Sequence, residues 1–274
     1  EKRFARTSTH EVVGTIVGRL IQKSRELART KPAPDLILWA ETSYPMVFPT
    51  SPASRKLGNF SYGYANLLKD AAAEIGIPIL FGGYANEREK DFNAGILLGK
   101  NGEVLDRYLK QVLLIFGEYF PMDQWFPQLK QLNPMMGDFG RGPGAVPVSF
   151  PWKGHSLLLG VNICYEAILP EYMRGYAQKG ARLFVNLTKD SWFGDTFEPW
   201  QHFQLSILRS VENRIPMVRA TNTGLSGSIS FTGDIRLLSQ PFEESYQIQE
   251  VKLPLSPEKT PYSLFGEWFA LALI

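Results

Sequence analysis

Cys164 is the only cysteine among 274 residues, and it stands directly after an apolar run at 155–163. Thiolates are readily acylated, so a cysteine at a strand end, followed by Tyr165 and Glu166, is a candidate covalent nucleophile. The competing reading is a small buried hydrophobe, which is what most unpaired cysteines are. Two other segments end in the same manner: the run 36–40 leads into Glu41, and the run 104–109 leads into Lys110. Either charge alone reads as a solvated group at a strand mouth. Taken with Cys164, they make a base, a cation and a nucleophile at three strand ends, the parts of an acyl-transfer site. Glu41 can accept the thiol proton, and an ammonium near the sulfur is expected to lower the thiol pKa and to favour charge on a carbonyl oxygen.

Such a site needs strands whose carboxyl ends converge, because ligands of open α/β sheets collect there. The chain supplies suitable elements. Val13, Ile16, Val17 and Leu20 share a helical face, as do Tyr64, Leu67, Leu68, Ala71 and Ile75, and again Phe203, Ile207, Leu208 and Val211. Between them, short apolar runs at 77–81, 95–98, 183–187, 217–220 and 229–231 suit buried strands. Alternating helix and strand predicts a layered α/β fold. A hydrophobic content of 44% over 274 residues is enough for one large core.

Five segments carry a family resemblance: LILWAETSYP (36–45), RYLKQVLLIFGEYFP (107–121), GVNICYEAILPE (160–171), NLTKDSWFGDTFEPWQHFQLSILRSVEN (186–213) and IPMVRATNTGLSG (215–227). In this order they resemble the nitrilase superfamily. Within it they look most like the extracytoplasmic catalytic domain of the apolipoprotein N-acyltransferases, membrane enzymes that N-acylate bacterial lipoproteins. A Glu, Lys, Cys triad points to the superfamily alone. GEYFP after the lysine, CYE at the cysteine and the long block from NLT to PWQH point to the acyltransferase branch.

The resemblance implies a four-layer αββα sandwich, with Glu41 as general base, Lys110 as oxyanion-stabilising cation and Cys164 as nucleophile. Glu118, Tyr165 and Glu166 fall on motif positions and are expected to support them. The implied reaction is a ping-pong transfer. Cys164 takes an acyl chain from a phospholipid donor, and the thioester is attacked by the amino group of the diacylglyceryl cysteine of a lipoprotein acceptor. The implied setting is the bacterial inner membrane, with this domain on its extracytoplasmic face and membrane contact through segments outside the chain. The alternatives are a soluble carbon-nitrogen hydrolase with the same triad, releasing ammonia from small amides, and a silent binding module. The filled triad weighs against the last.

Other features bound the reading. A net charge of +2 is too small to argue for nucleic acid, and one cysteine excludes an intrachain disulfide. His10, His155 and His202 make no metal-ligand spacing, so no metal and no cofactor is expected; His202 reads as a supporting or structural residue. Phe116, Tyr119, Phe120, Met122, Trp125, Phe126, Met135 and Met136, broken by prolines, read either as a greasy arm beside the site that holds acyl chains or dips into a bilayer surface, or as side chains that fill the core under a long loop, with a short helix possible at 123–132. The segment 44–49, with Met46, Val47 and Phe48, is a second candidate contact region or a packed loop. No run reaches the roughly 20 apolar residues of a membrane span. The expected organisation is a catalytic domain at 1–253, then at 254–274 a Pro-rich linker and the start of an apolar membrane segment headed by Trp268. By the family resemblance, the sequence is expected to begin after a first strand that precedes the helix at 11–29.

Overall fold

The computed structural model describes residues 9–50, 57–87, 90–115, 117–119, 138–237, 239–254, 258–268 and 272. The chain opens with helix α1 (Thr9–Ala28) and strand β1 (Ile37–Trp39), followed by α2 (Asn59–Ile75) and the antiparallel strands β2 (Ile79–Glu87), β3 (Lys90–Leu98) and β4 (Val104–Leu109). The second half runs β5 (Val148–Trp152), β6 (His155–Ile163), α3 (Pro170–Gln178), β7 (Leu183–Thr188), α4 (Glu198–Asn213), β8 (Met217–Thr221), β9 (Gly227–Ile229), β10 (Ile235–Leu237) and α5 (Pro261–Phe265). Two sheets result, in the orders β1-β2-β3-β4 and β10-β9-β8-β7-β6-β5. With α1 and α2 over one sheet and α3 and α4 over the other, the architecture is the expected four-layer αββα sandwich.

Period-two alternation explains the layers. In β2 and β3, Leu80 and Leu97 face the second sheet, whereas Ile79, Phe81, Ile96 and Leu98 face the helices; both faces are buried, so the strands read as continuous apolar runs. Gly95 permits close approach of the sheets, since a Cβ there would meet Val161 Cγ1 at 2.9 Å. On α1, Val13, Val17 and Ile21 recur every four residues and are buried, each stabilising the fold by about 1.5 to 3 kcal/mol. Glu11 in its first turn and Arg25 in its last suit the helix dipole. α2 stops at Gly76, whose left-handed backbone lets its N–H return to the Ala72 carbonyl.

Several expectations need correction. On α2 the buried positions are Ala65, Leu68, Ala71 and Ala72, and Leu67 is exposed. On α4 the buried set is largely polar, His202, Ser206, Arg209, Ser210 and Asn213 beside Phe203, while Leu208 is half exposed. The strand expected at 229–231 lies at Gly227–Ile229 and is followed by a turn. The segment 44–49 is a packed loop: Tyr44 and Phe48 are fully buried and meet each other and Phe81 edge to face. Of the predicted arm, Phe116 and residues 120–137, including the helix at 123–132, lie outside the described residues. α5 docks on α3 through Arg174, which donates to the carbonyls of Tyr262, Ser263 and Leu264. No helix among the described residues is long and apolar enough to cross a membrane.

Candidate active site

β1 is parallel to β2, and β4 runs the same way because both pair antiparallel with β3. β6, β7 and β8 are mutually parallel. The carboxyl ends of these strands deliver Glu41 just past β1, Lys110 directly past β4 and Cys164 directly past β6. Lys110 is 2% exposed and sits between two carboxylates, its Nζ 2.7 Å from Glu118 Oε2 and 3.9 Å from Glu41 Oε1. Asn93, on β3, closes the group: its Nδ2 donates to Glu41 Oε1 at 2.8 Å and to Glu118 Oε1 at 2.9 Å. One ammonium and one amide thus hold two carboxylates that would otherwise repel.

The backbone is forced at two of these positions. Cys164 itself and Thr42, next to Glu41, both have φ of 56°, in the left-handed region that non-glycine residues rarely occupy. Such strain costs about 1 to 3 kcal/mol per residue and persists only where the surroundings over-determine it. At Cys164 the constraints are visible. Asn186 Nδ2 donates to the Cys164 carbonyl at 3.1 Å. Glu166 accepts four hydrogen bonds, from the backbone N–H groups of Gln111, Val112 and Ile163 and from the Tyr108 hydroxyl, at 2.6 to 2.9 Å. It therefore ties the segment after Lys110 to the residue before Cys164. Tyr165 lies under Lys110, Nζ to ring centroid 5.8 Å, and donates its hydroxyl to the Leu113 carbonyl. All six residues singled out from the sequence come together.

Protonation follows from burial. Loss of water pushes the Glu41 carboxyl above its usual range, against the pull of Lys110 and Asn93. Burial alone would pull Lys110 down, but the charges of Glu41 and Glu118 outweigh it and hold the ammonium above the usual lysine value. Cys164 is pushed up to about 12 by burial and by the charge of Glu41, with Lys110 and Thr188 opposing. Lys110 draws the thiol pKa down, as expected, but burial and the charge of Glu41 override it. The resting group is a thiol beside a carboxylate of raised basicity, an arrangement suited to proton transfer during attack.

Beneath Cys164 lies a second buried network that sequence reasoning missed, apart from His202. Arg219, on β8, is 1% exposed and donates to Asn186 Oδ1 at 2.9 Å and to Asp190 Oδ2 at 3.0 Å, with His202 Nδ1 2.9 Å from the same guanidinium. Asn186 also bonds Asn162 Oδ1 at 2.9 Å. The available signal was a polar residue inside each apolar strand: Asn93, Asn162, Asn186 and Arg219. Asp190, Glu198 and His202 place ligand-type atoms within 4.8 Å of one another. Arg219 already supplies the positive charge at that point, so the set does not fit a divalent cation.

Residues 13–256 match the carbon-nitrogen hydrolase family. An apolipoprotein N-acyltransferase of Bdellovibrio bacteriovorus is 36% identical over 245 residues, covering 86% of this chain and 43% of that protein. One from Geobacter metallireducens is 36% identical over 256 residues, covering 92% and 46% respectively. One from Pseudomonas aeruginosa is 31% identical over 247 residues, covering 89% and 45%. The chain thus spans under half the length of these relatives. Among solved structures, an amidase from Nesterenkonia sp. AN1, with acrylamide added at its active site cysteine, superposes with a TM-score of 0.60 at 20% identity, covering 83% of this chain and 84% of that one. At that identity the likeness shows the shared fold.

Proposed function

Because this chain belongs to the carbon-nitrogen hydrolase family, we propose that it is the acyl-transferring part of an N-acyltransferase that modifies bacterial lipoproteins. The observation that carries the reading is the buried pair of Lys110 and Glu41 at the strand ends beside Cys164, with the partly buried Glu118 holding the ammonium. The names of the relatives that align over most of the chain support the choice of acyl acceptor.

In this reading Cys164 Sγ attacks the ester carbonyl of a phospholipid while Glu41 takes the thiol proton. Lys110 stabilises the charge that gathers on the carbonyl oxygen, a contribution of about 3 to 4 kcal/mol for one such donor. The ester C–O bond then breaks, Glu41 returns the proton to the departing alcohol, and lysophospholipid leaves a thioester on Cys164. The α-amino group of a diacylglyceryl cysteine attacks that thioester, Glu41 takes the amine proton, and the thiol is restored. Glu118, Asn93, Tyr165 and Glu166 hold Lys110 and Glu41 in place. The site acts at the extracytoplasmic face of the inner membrane, and residues 254–274 lead from the catalytic domain at 1–253 toward it.

The test supplies the gene's full product, in detergent, with phospholipid and a synthetic diacylglyceryl lipopeptide, and in parallel with small amides. N-acylation of the lipopeptide that disappears in Cys164→Ala supports the proposal. Ammonia release from small amides without transfer to the lipopeptide overturns it in favour of an amidase.

A further inference from the structure

Asn162, Asn186 and Arg219 form one polar row across three neighbouring parallel strands: the register pairs Asn162 of β6 with Asn186 of β7, and Asn186 with Arg219 of β8. All three are buried, and none belongs to the triad. Polar side chains inside a sheet carry a desolvation cost unless they are fully bonded, so the groups they hold are informative. This row ends on the backbone of the nucleophile. Asn186 Nδ2 directs its two protons to Asn162 Oδ1 at 2.9 Å and to the Cys164 carbonyl at 3.1 Å, while its Oδ1 accepts from Arg219 Nη1 at 2.9 Å. A guanidinium carries donors and no acceptor. Arg219 therefore fixes which way the amide faces, because reversing it would set oxygen against the Cys164 carbonyl oxygen and an NH2 group against the guanidinium. Asp190 Oδ2, 3.0 Å from Arg219 Nη2, balances the buried charge.

We propose that Arg219 and Asn186 are positioning residues for the nucleophile: Arg219 orients the Asn186 amide, and the amide holds the Cys164 carbonyl, keeping Cys164 in its left-handed backbone conformation, φ 56°. Two anchors then flank the strained residue. Glu166 binds the Ile163 N–H before it, and Asn186 binds the peptide after it. Without the second anchor a non-glycine residue relaxes toward the ordinary regions of backbone space. A change in φ turns Cβ about the N–Cα bond, so the thiol would leave its place relative to Glu41 and Lys110. Neither Arg219 nor Asn186 exchanges a proton in this role; both act through the Cys164 backbone alone.

The proposal rests on Cys164 as the nucleophile, and its test does not require acyl transfer. The rate of iodoacetamide alkylation at Cys164, followed at one pH by mass spectrometry of the full gene product, is compared for wild type, Asn186→Asp, Arg219→Met, Arg219→Lys and the double variant Asn186→Asp with Arg219→Met. Thermal unfolding is measured on each. The carboxylate in Asn186→Asp still pairs with Arg219 but has no donor for the Cys164 carbonyl, so alkylation should slow about tenfold. Arg219→Met frees the amide to turn and should slow it comparably, whereas Arg219→Lys returns a donor to Asn186 Oδ1 and should recover most of the rate. Because both residues act through one carbonyl, the double variant should be no slower than the slower single variant. Alkylation at the wild-type rate in Asn186→Asp or Arg219→Met, even with a lowered unfolding temperature, overturns the proposal, as do equal rates for the lysine and methionine variants or effects that multiply in the double variant. Should Arg219→Met fail to accumulate folded because Asp190 is left unpaired, Arg219→Met with Asp190→Asn carries the same readout. Wild-type protein that takes no acyl group from phospholipid, with the variant pattern intact, would remove the functional reading and leave the positioning of Cys164 standing.

Discussion

Glu41 and Cys164 both hold their protons more tightly than the free side chains do, and for the same first reason, the loss of water. The consequence is a pH dependence with a definite sign. In the proposed mechanism turnover needs Glu41 ionised, and its pKa lies above the ordinary 4.5, so kcat/KM should fall with decreasing pH above the usual carboxylate range. A pH–rate profile checks this; an acid limb at or below pH 4.5 would show that Glu41 is not the base. At this scale the three chemical groups were legible because each interrupts an apolar run at its end. Their protonation was not, since it depends on how much water the folded chain removes. Asn93 was hidden for a related reason: one asparagine in a strand has no motif, and only the register places it between Glu41 and Glu118.

At the scale of the element, positioning depends on how closely β2 passes the end of β1. A Cβ on Gly82 would lie 2.5 Å from Glu41 Cα and 2.6 Å from the Ala40 carbonyl oxygen, so only glycine lets Glu41 sit where it does. Gly82→Ala should displace Glu41, reducing kcat by tenfold or more while costing about 1 to 3 kcal/mol of stability, measured by steady-state kinetics and thermal unfolding. A variant with unchanged kcat would mean that the position of Glu41 is not set there. Strands were readable from the sequence because both of their faces are buried. The outer helices were less so. α4 inverts the usual pattern, burying His202, Arg209, Ser210 and Asn213 while Leu205 and Leu208 remain exposed, because part of that face packs over the polar network behind Cys164 and not over an apolar sheet. Apolar periodicity has no means of registering a buried polar face.

For the whole molecule, the layered fold brings strand ends from two different sheets into one site, with Glu41 and Lys110 from one and Cys164 from the other. Alternating elements predicted layers, but the pairing of sheets and the convergence of their ends rest on long-range contacts such as Glu166 with Gln111 and Val112, which no local pattern encodes. In the proposed function an acyl group is carried on Cys164. This is tested most directly by intact mass of the full gene product after incubation with phospholipid in detergent, for wild type, Cys164→Ala and Lys110→Ala. The expected result is a gain of one fatty acyl group, labile to hydroxylamine, in wild type and in neither variant. An acyl adduct that persists in Cys164→Ala, or wild-type protein that gains no mass while releasing ammonia from small amides, would contradict it.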